Sequence, residues 1–97
     1  MTPKRRDINH KEIVDGLRDA HYVVEDIADI GKGIPDLMVE SRSGILVLFE
    51  VKQPGGKLTG PEQEFFSRHL APVRIVRSLD DALAWMEYYD GYKLEAQ

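Results

Sequence analysis

Apolar positions change their period along this chain, and the changes divide it into seven elements. Ile13, Val14, Leu17 and Ala20 recur three and four residues apart, which is one face of a helix over residues 10–20. Asn9 stands ahead of it as an N-cap, with Glu12 at the capping-box position three residues later. Residues 22–25 suit a strand, and Asp29 to Gly33, with glycines on both sides of Lys32, reads as a loop. Residues 35–41 and 45–52 read as two further strands. Ile45-Leu46-Val47-Leu48-Phe49 is apolar in both phases, which predicts a central strand covered on both faces. Pro54, Gly55 and Gly56 mark a loop, and Thr59 with Glu62 is a second capping box opening a helix to about His69, with Pro61 tolerated in its first turn. Residues 73–76 are a short β-branched strand. Ser78 and Asp81 cap a last helix carrying Leu79, Ala82, Leu83, Trp85 and Met86. The sum is one α/β domain spanning residues 1–97, a mixed sheet flanked by helices in the order α-β-β-β-α-β-α. Residues 1–8 form a flexible basic arm, and residues 90–97 a tail. Gly16 lets the first helix approach the sheet closely.

The turn between the second and third strands sets a register. Arg42-Ser43-Gly44 fits a three-residue hairpin loop with glycine at its left-handed position. Ser41 then pairs with Ile45, so Glu40 faces Leu46, Met38 faces Leu48 and Asp36 faces Glu50. Directly opposed residues share a face with Cβ atoms about 4.5–5.5 Å apart. Lys52, two residues beyond Glu50, lies on that face as well. A loop one residue different would put the two acids on opposite faces.

Opposed like charges destabilise a sheet, and a buried carboxylate without a partner costs more still. A hard cation accounts for the pair, because Mg²⁺ binds one or two carboxylates together with waters and phosphate oxygens. Lys52 beside it can orient a water or stabilise charge at a phosphorus centre. The plainer alternative is a Glu50–Lys52 surface ion pair, with Asp36 as a turn residue after Pro35. Glu12 also has two readings, as a cap or as a further ligand reaching in from the first helix. Gln63 either contacts substrate or a ligating water, or is a solvated helix residue. His10, His21 and His69 have no ligand spacing. Trp85, Tyr88 and Tyr89 suit a core or a subunit interface better than base stacking. Lys4, Arg5, Arg6, Lys32 and Lys57 lie on arms or loops and are candidate phosphate contacts.

Composition narrows the classes. The 97 residues include no cysteine, which excludes disulfides and thiolate metal sites and fits a reducing cytoplasm. No apolar run approaches the roughly 20 residues of a membrane span, and the first ten residues lack the apolar core of a signal peptide. The net charge of −4 argues against a polyanionic partner until it is located. Asp80, Asp81, Glu87, Asp90 and Glu95 against the single base Lys93 account for all of it. The preceding 79 residues balance, and their local sign decides steering.

Gly33-Ile34-Pro35-Asp36-Leu37-Met38-Val39, Phe49-Glu50-Val51-Lys52, Leu58-Thr59 and Gln63 together resemble the virus-type replication-repair nuclease (VRR-NUC) domain, a compact branch of the PD-(D/E)xK nuclease superfamily. The likeness runs from about Glu12 to Val76-Arg77-Ser78. It implies a restriction-endonuclease-like core, with Asp36, Glu50 and the Val51 carbonyl as ligands of Mg²⁺ or Mn²⁺ and Lys52 as the catalytic lysine. It also matches Glu12 to the family's helix-borne acid and Gln63 to its glutamine. Gly31-Lys32 departs from relatives that carry a small polar residue there. Stand-alone members of this size look phage-like, and similar domains form homodimers that cut four-way DNA junctions. The expectation is therefore an endodeoxyribonuclease resolving branched DNA in the cytoplasm of a bacterial host. Each subunit would cut one strand by in-line attack of water. The alternatives are a nicking or flap nuclease working with a partner, or a DNA-binding module that does not cut.

Overall fold

The computed structural model describes the backbone of residues 5–92 and the side chains of residues 8–92. Lys4, the side chains of Arg5 and Arg6, and residues 93–97 lie outside the described residues. The described elements are α1 (Arg5–Asp19), β1 (Val23–Asp26), a 3₁₀ turn at Ala28–Ile30, β2 (Leu37–Glu40), β3 (Leu46–Val51), α2 (Gly60–Arg68), β4 (Val73–Val76) and α3 (Leu79–Asp90). The predicted order α-β-β-β-α-β-α holds. The sheet runs β1-β2-β3-β4, antiparallel at its first two contacts and parallel between β3 and β4, where α2 makes the crossover.

The hairpin register is the one its turn requires. Glu40 faces Leu46 and Met38 faces Leu48. Gly44 takes φ +88, the Ser41 N–H donates to the Ile45 carbonyl at 2.8 Å, and the Ser41 hydroxyl accepts from the Ile45 N–H at 2.9 Å. Arg42 anchors this turn to the rest of the domain. Its guanidinium lies 4.1 Å from the Tyr22 ring centroid, donates to the Ala20 carbonyl at 2.7 Å and pairs with Asp90 at 2.8 Å.

The sheet's two faces differ. Val24, Leu37, Val39, Val47, Phe49, Val51 and Val76 form one face and pack with Ile13, Val14 and Leu17 of α1 and Ala82, Met86 and Tyr89 of α3. Full burial of each such side chain stabilises by about 1.5–3 kcal/mol. The opposite face of β3 is covered only toward its end. Leu46 is 51% exposed, whereas Glu50 is 1% exposed. This corrects the expectation of a strand covered throughout. The nine-residue α2 has its first turn over the Glu50 end, where Glu62 meets Lys52, and does not shield the start of the strand.

Three further expectations change. Helix α1 begins at Arg5, so the basic arm of residues 1–8 is helical from there and Asn9 is an interior residue rather than an N-cap. The Asn9 side chain instead donates to the Lys52 carbonyl at 3.4 Å. Gly16 admits α3 rather than the sheet, because a Cβ there would stand 2.3–2.9 Å from the Leu79 side chain. No helix among the described residues is long and apolar enough to cross a membrane.

Gly33 carries the tightest backbone contact near the sheet's end. Its φ is +82, and a Cβ there would stand 2.6 Å from the Pro61 carbonyl carbon and oxygen. Gly55 has nearly the same φ, +81, with open space around it. Gly33→Ala is therefore expected to cost about 2–4 kcal/mol, combining strain and clash. Gly55→Ala pays the conformational part alone, about 1–2 kcal/mol. Urea denaturation compares the two, and equal midpoints would refute the packing of Gly33 on α2.

Candidate active site at the ends of β2 and β3

Pro35 and Asp36 enter β2 from a loop that packs on the first turn of α2. The β1–β2 ladder extends through Asp36, whose carbonyl accepts from the Ile27 N–H at 2.9 Å. Continuing the hairpin register by one residue sets Asp36 opposite Glu50. Asp36 is 7% exposed, and its Oδ2 accepts the Val51 N–H at 2.9 Å. One acid is thus fixed by a backbone bond across the hairpin.

Glu50 has no such bond. Both of its carboxylate oxygens are buried without a hydrogen-bond partner. The remaining buried and unpartnered side-chain atom among the described residues is Nε2 of Gln53, three residues along the same chain segment. Buried polar atoms are satisfied almost everywhere in folded proteins, so a concentration of exceptions marks a place that needs a functional or ionic account. Burial, then the Asp36 carboxylate, then Glu62, push the Glu50 carboxyl up from its ordinary 4.5 to about 9.

Lys52 lies on the same face, and its Nζ stands 2.7 Å from Oε1 of Glu62, with the two side chains 13% and 12% exposed. Glu62 is also the capping-box residue of α2. Its Oε1 accepts the Thr59 N–H at 2.8 Å, and its own N–H donates to the Thr59 hydroxyl at 3.4 Å. Burial acts to raise the Glu62 carboxyl, but Lys52 and Thr59 outweigh it and hold the group below the usual range. The glycine loop after Lys52 is pinned by Arg77, which donates to the carbonyls of Gln53 at 2.7 Å and Gly56 at 2.9 Å.

The structure thus brings together Asp36, Glu50, Val51 and Lys52 from the sequence-derived set and adds Glu62. Glu12 does not join them. It is exposed on α1, and the contact from that helix to this strand end is made by Asn9. With the helix starting at Arg5, Glu12 is not a capping-box residue either. Gln63 is exposed and donates through Nε2 to the Leu58 carbonyl at 3.2 Å, tying the loop to the helix start. Lys32 and Lys57 are exposed on the two loops that flank the strand ends. Lys4 and the side chains of Arg5 and Arg6 fall outside the described residues. His10 pairs with Asp26 at 2.9 Å, and His69 stacks on Phe65 with centroids 3.8 Å apart.

Glu62, Asn9 and Arg77 escaped sequence reasoning for different reasons. The Thr59-x-x-Glu62 spacing announces a cap, which it is, and says nothing of Lys52. Asn9 was hidden by the wrong helix start, and Arg77 carries no local signal.

The donor set can be tested against a divalent cation. Among the described residues no group of three or more His, Asp or Glu side chains is gathered to hold one. Two carboxylates are gathered, one of them with both oxygens unpartnered, and Mg²⁺ ordinarily takes one or two carboxylates and completes its shell with water and phosphate. The residues present fit that mode. Set beside models of known protein families, curated proteins and solved structures, the chain matches none of them.

The raised Glu50 carboxyl has a consequence for stability. The folded state binds its proton more tightly than the unfolded chain. The stabilisation is complete below about pH 4.5 and is lost as pH rises toward 9. Glu62, Asp26 and Asp90, all held low, act oppositely and lose their contribution as pH falls through the acid range. In EDTA the Tm is therefore expected to fall between pH 5 and 9. Glu50→Gln, which cannot ionise, should flatten that slope. Parallel melting curves for the two proteins would show that Glu50 is not the titrating group.

Proposed function

We propose that the protein is a divalent-cation-dependent endonuclease that hydrolyses DNA phosphodiesters at the paired strand ends. The observation that carries this reading is Glu50, a carboxylate with both oxygens buried and unpartnered, lying opposite a second acid and next to a lysine. Asp36 and Glu62 outnumber the one ammonium, so the cluster repels a phosphate as it stands. A cation held by Asp36 and Glu50, with the Val51 carbonyl in reach, would reverse that sign and supply Lewis-acid neutralisation of the phosphate charge.

The chain's own groups take the remaining roles. Lys52 has three N–H donors, of which one meets Glu62, so two remain for an attacking water or a non-bridging phosphate oxygen. Asp36, fixed through the Val51 N–H, keeps the strand ends in register while charge builds on the phosphorus centre. Lys32 and Lys57, exposed on the two flanking loops, would give sequence-independent contacts to a phosphate backbone. The resemblance of residues 33–39, 49–52 and 58–63 to the VRR-NUC domain supports the same chemistry. It also supplies the finer reading of a homodimer cutting a four-way junction, in which two-fold protein and two-fold substrate match. In this reading the protein is of phage or prophage origin and acts in the cytoplasm of a bacterial host.

Labelled four-way junction, flap, duplex and single-stranded DNA, incubated in Mg²⁺, Mn²⁺ and EDTA, test the proposal. Cleavage is expected with either metal and not in EDTA, with paired symmetric incisions on the junction. Glu50→Ala and Lys52→Ala should each lower kcat at least about 100-fold. Flap or duplex cutting would discard the junction preference and keep the nuclease. Undiminished cleavage by both variants would refute the site, and tight binding without any cutting would favour a DNA-binding module.

A further inference from the structure

We infer that Glu62 is a positioning residue for Lys52, fixing the ammonium over the Glu50 face through an ion pair that the α2 capping box holds in place. The catalytic meaning of this inference rests on the nuclease reading above; the pairing does not.

A capping glutamate needs only the backbone N–H of its N-cap residue, and such residues ordinarily sit at exposed helix starts. Glu62 is 12% exposed and spends the same oxygen twice, on the Thr59 N–H at 2.8 Å and on Lys52 Nζ at 2.7 Å. The ammonium at the end of a four-carbon stem is thereby referred to the backbone of a helix. That helix is in turn referred to the loop carrying the other acid, since Gly33 packs on Pro61 and Asp36 follows three residues later. The backbone of Lys52 is also held on both sides. Its N–H donates to the Val76 carbonyl at 3.0 Å, and its carbonyl accepts from Asn9 at 3.4 Å. A lysine left to solvent samples many rotamers, so a reactive position must be enforced by a partner. Glu62 is the partner in place, and it leaves two of the three ammonium protons for other acceptors.

Capping and positioning can be separated by choice of variant. Glu62→Gln keeps a side chain that can complete a capping box but removes the charge facing Lys52. Thr59→Ala removes the cap hydroxyl and leaves the Glu62–Lys52 pair. Three measurements on the full chain read the difference: the Tm, the ¹H–¹⁵N correlation signal of the Lys52 ammonium (assigned by its loss in Lys52→Ala), and kcat and KM on the cleaved DNA.

Glu62→Gln is expected to shift the Tm little and to abolish the ammonium signal. Its kcat should fall about 10–100-fold, with KM within about threefold of the parent. Thr59→Ala should lower the Tm by about 4–8 °C and preserve both the signal and kcat. The inference is overturned if the parent shows no protected ammonium signal, or if Glu62→Gln retains signal and rate. It is also overturned if Thr59→Ala loses kcat as Glu62→Gln does, because a structural role then explains both. A parent that cuts no DNA sinks the nuclease reading, and the ammonium signal still decides whether Glu62 holds Lys52.

Discussion

Asp36 and Glu50 are forced onto one face of the sheet by three residues of loop. Gly44 accepts the left-handed conformation that a three-residue hairpin demands, and from there the pairing of Leu37 with Phe49 follows without freedom. The same register that buries Leu37, Val39, Val47 and Phe49 beneath α1 and α3 turns the intervening positions to the other side. One slip would exchange the two sets, putting carboxylates in the apolar core and valines in the site. The core and the acid pair are therefore two consequences of one constraint, and selection for the first secures the second.

That arrangement is costly on its acidic side. An unpartnered buried carboxylate opposes folding, and Glu50 responds by holding its proton far above the range of an ordinary glutamate. Asp36 instead accepts the Val51 N–H, and Glu62 takes Lys52 and Thr59. The three acids are thus unequal. Two are satisfied within the fold, and the third is left with open lone pairs at the centre of the group. On the nuclease proposal, that inequality would let the site take up positive charge rather than close as an ion cluster.

How much of this is legible in the chain depends on how local the signal is. The hairpin register, the two capping pairs Thr59–Glu62 and Ser78–Asp81, and the order of elements are written within a few residues each, and all appear in the fold. Misreadings arise where the deciding partner is distant. Asn9 looks like an N-cap until Lys52, 43 residues away, claims its amide. Gly16 announces close packing but not against what, and the answer, Leu79, belongs to the far end of the chain. Leu46 has the hydropathy of a core residue, yet its exposure is set by where the short α2 lies. Arg77 and the Lys52–Glu62 pair carry no pattern at all, because a salt bridge between a strand and a helix start depends on the crossover that joins them.

Glu62 shows how a local device acquires a second task. Its spacing from Thr59 is sufficient reason for its presence, and a surface helix would end the matter there. The crossover from β3 to β4 is short, so the start of α2 is delivered to the end of β3, and Gly33 lets the opposing loop close onto Pro61. The capping oxygen is then within reach of Lys52 with no further change in sequence. A cap is rigid because the helix backbone defines it, and rigidity is what a long flexible lysine lacks. Coupling the two gives the site a fixed ammonium at the expense of one already committed side chain, and leaves both Glu50 oxygens without a partner beside it.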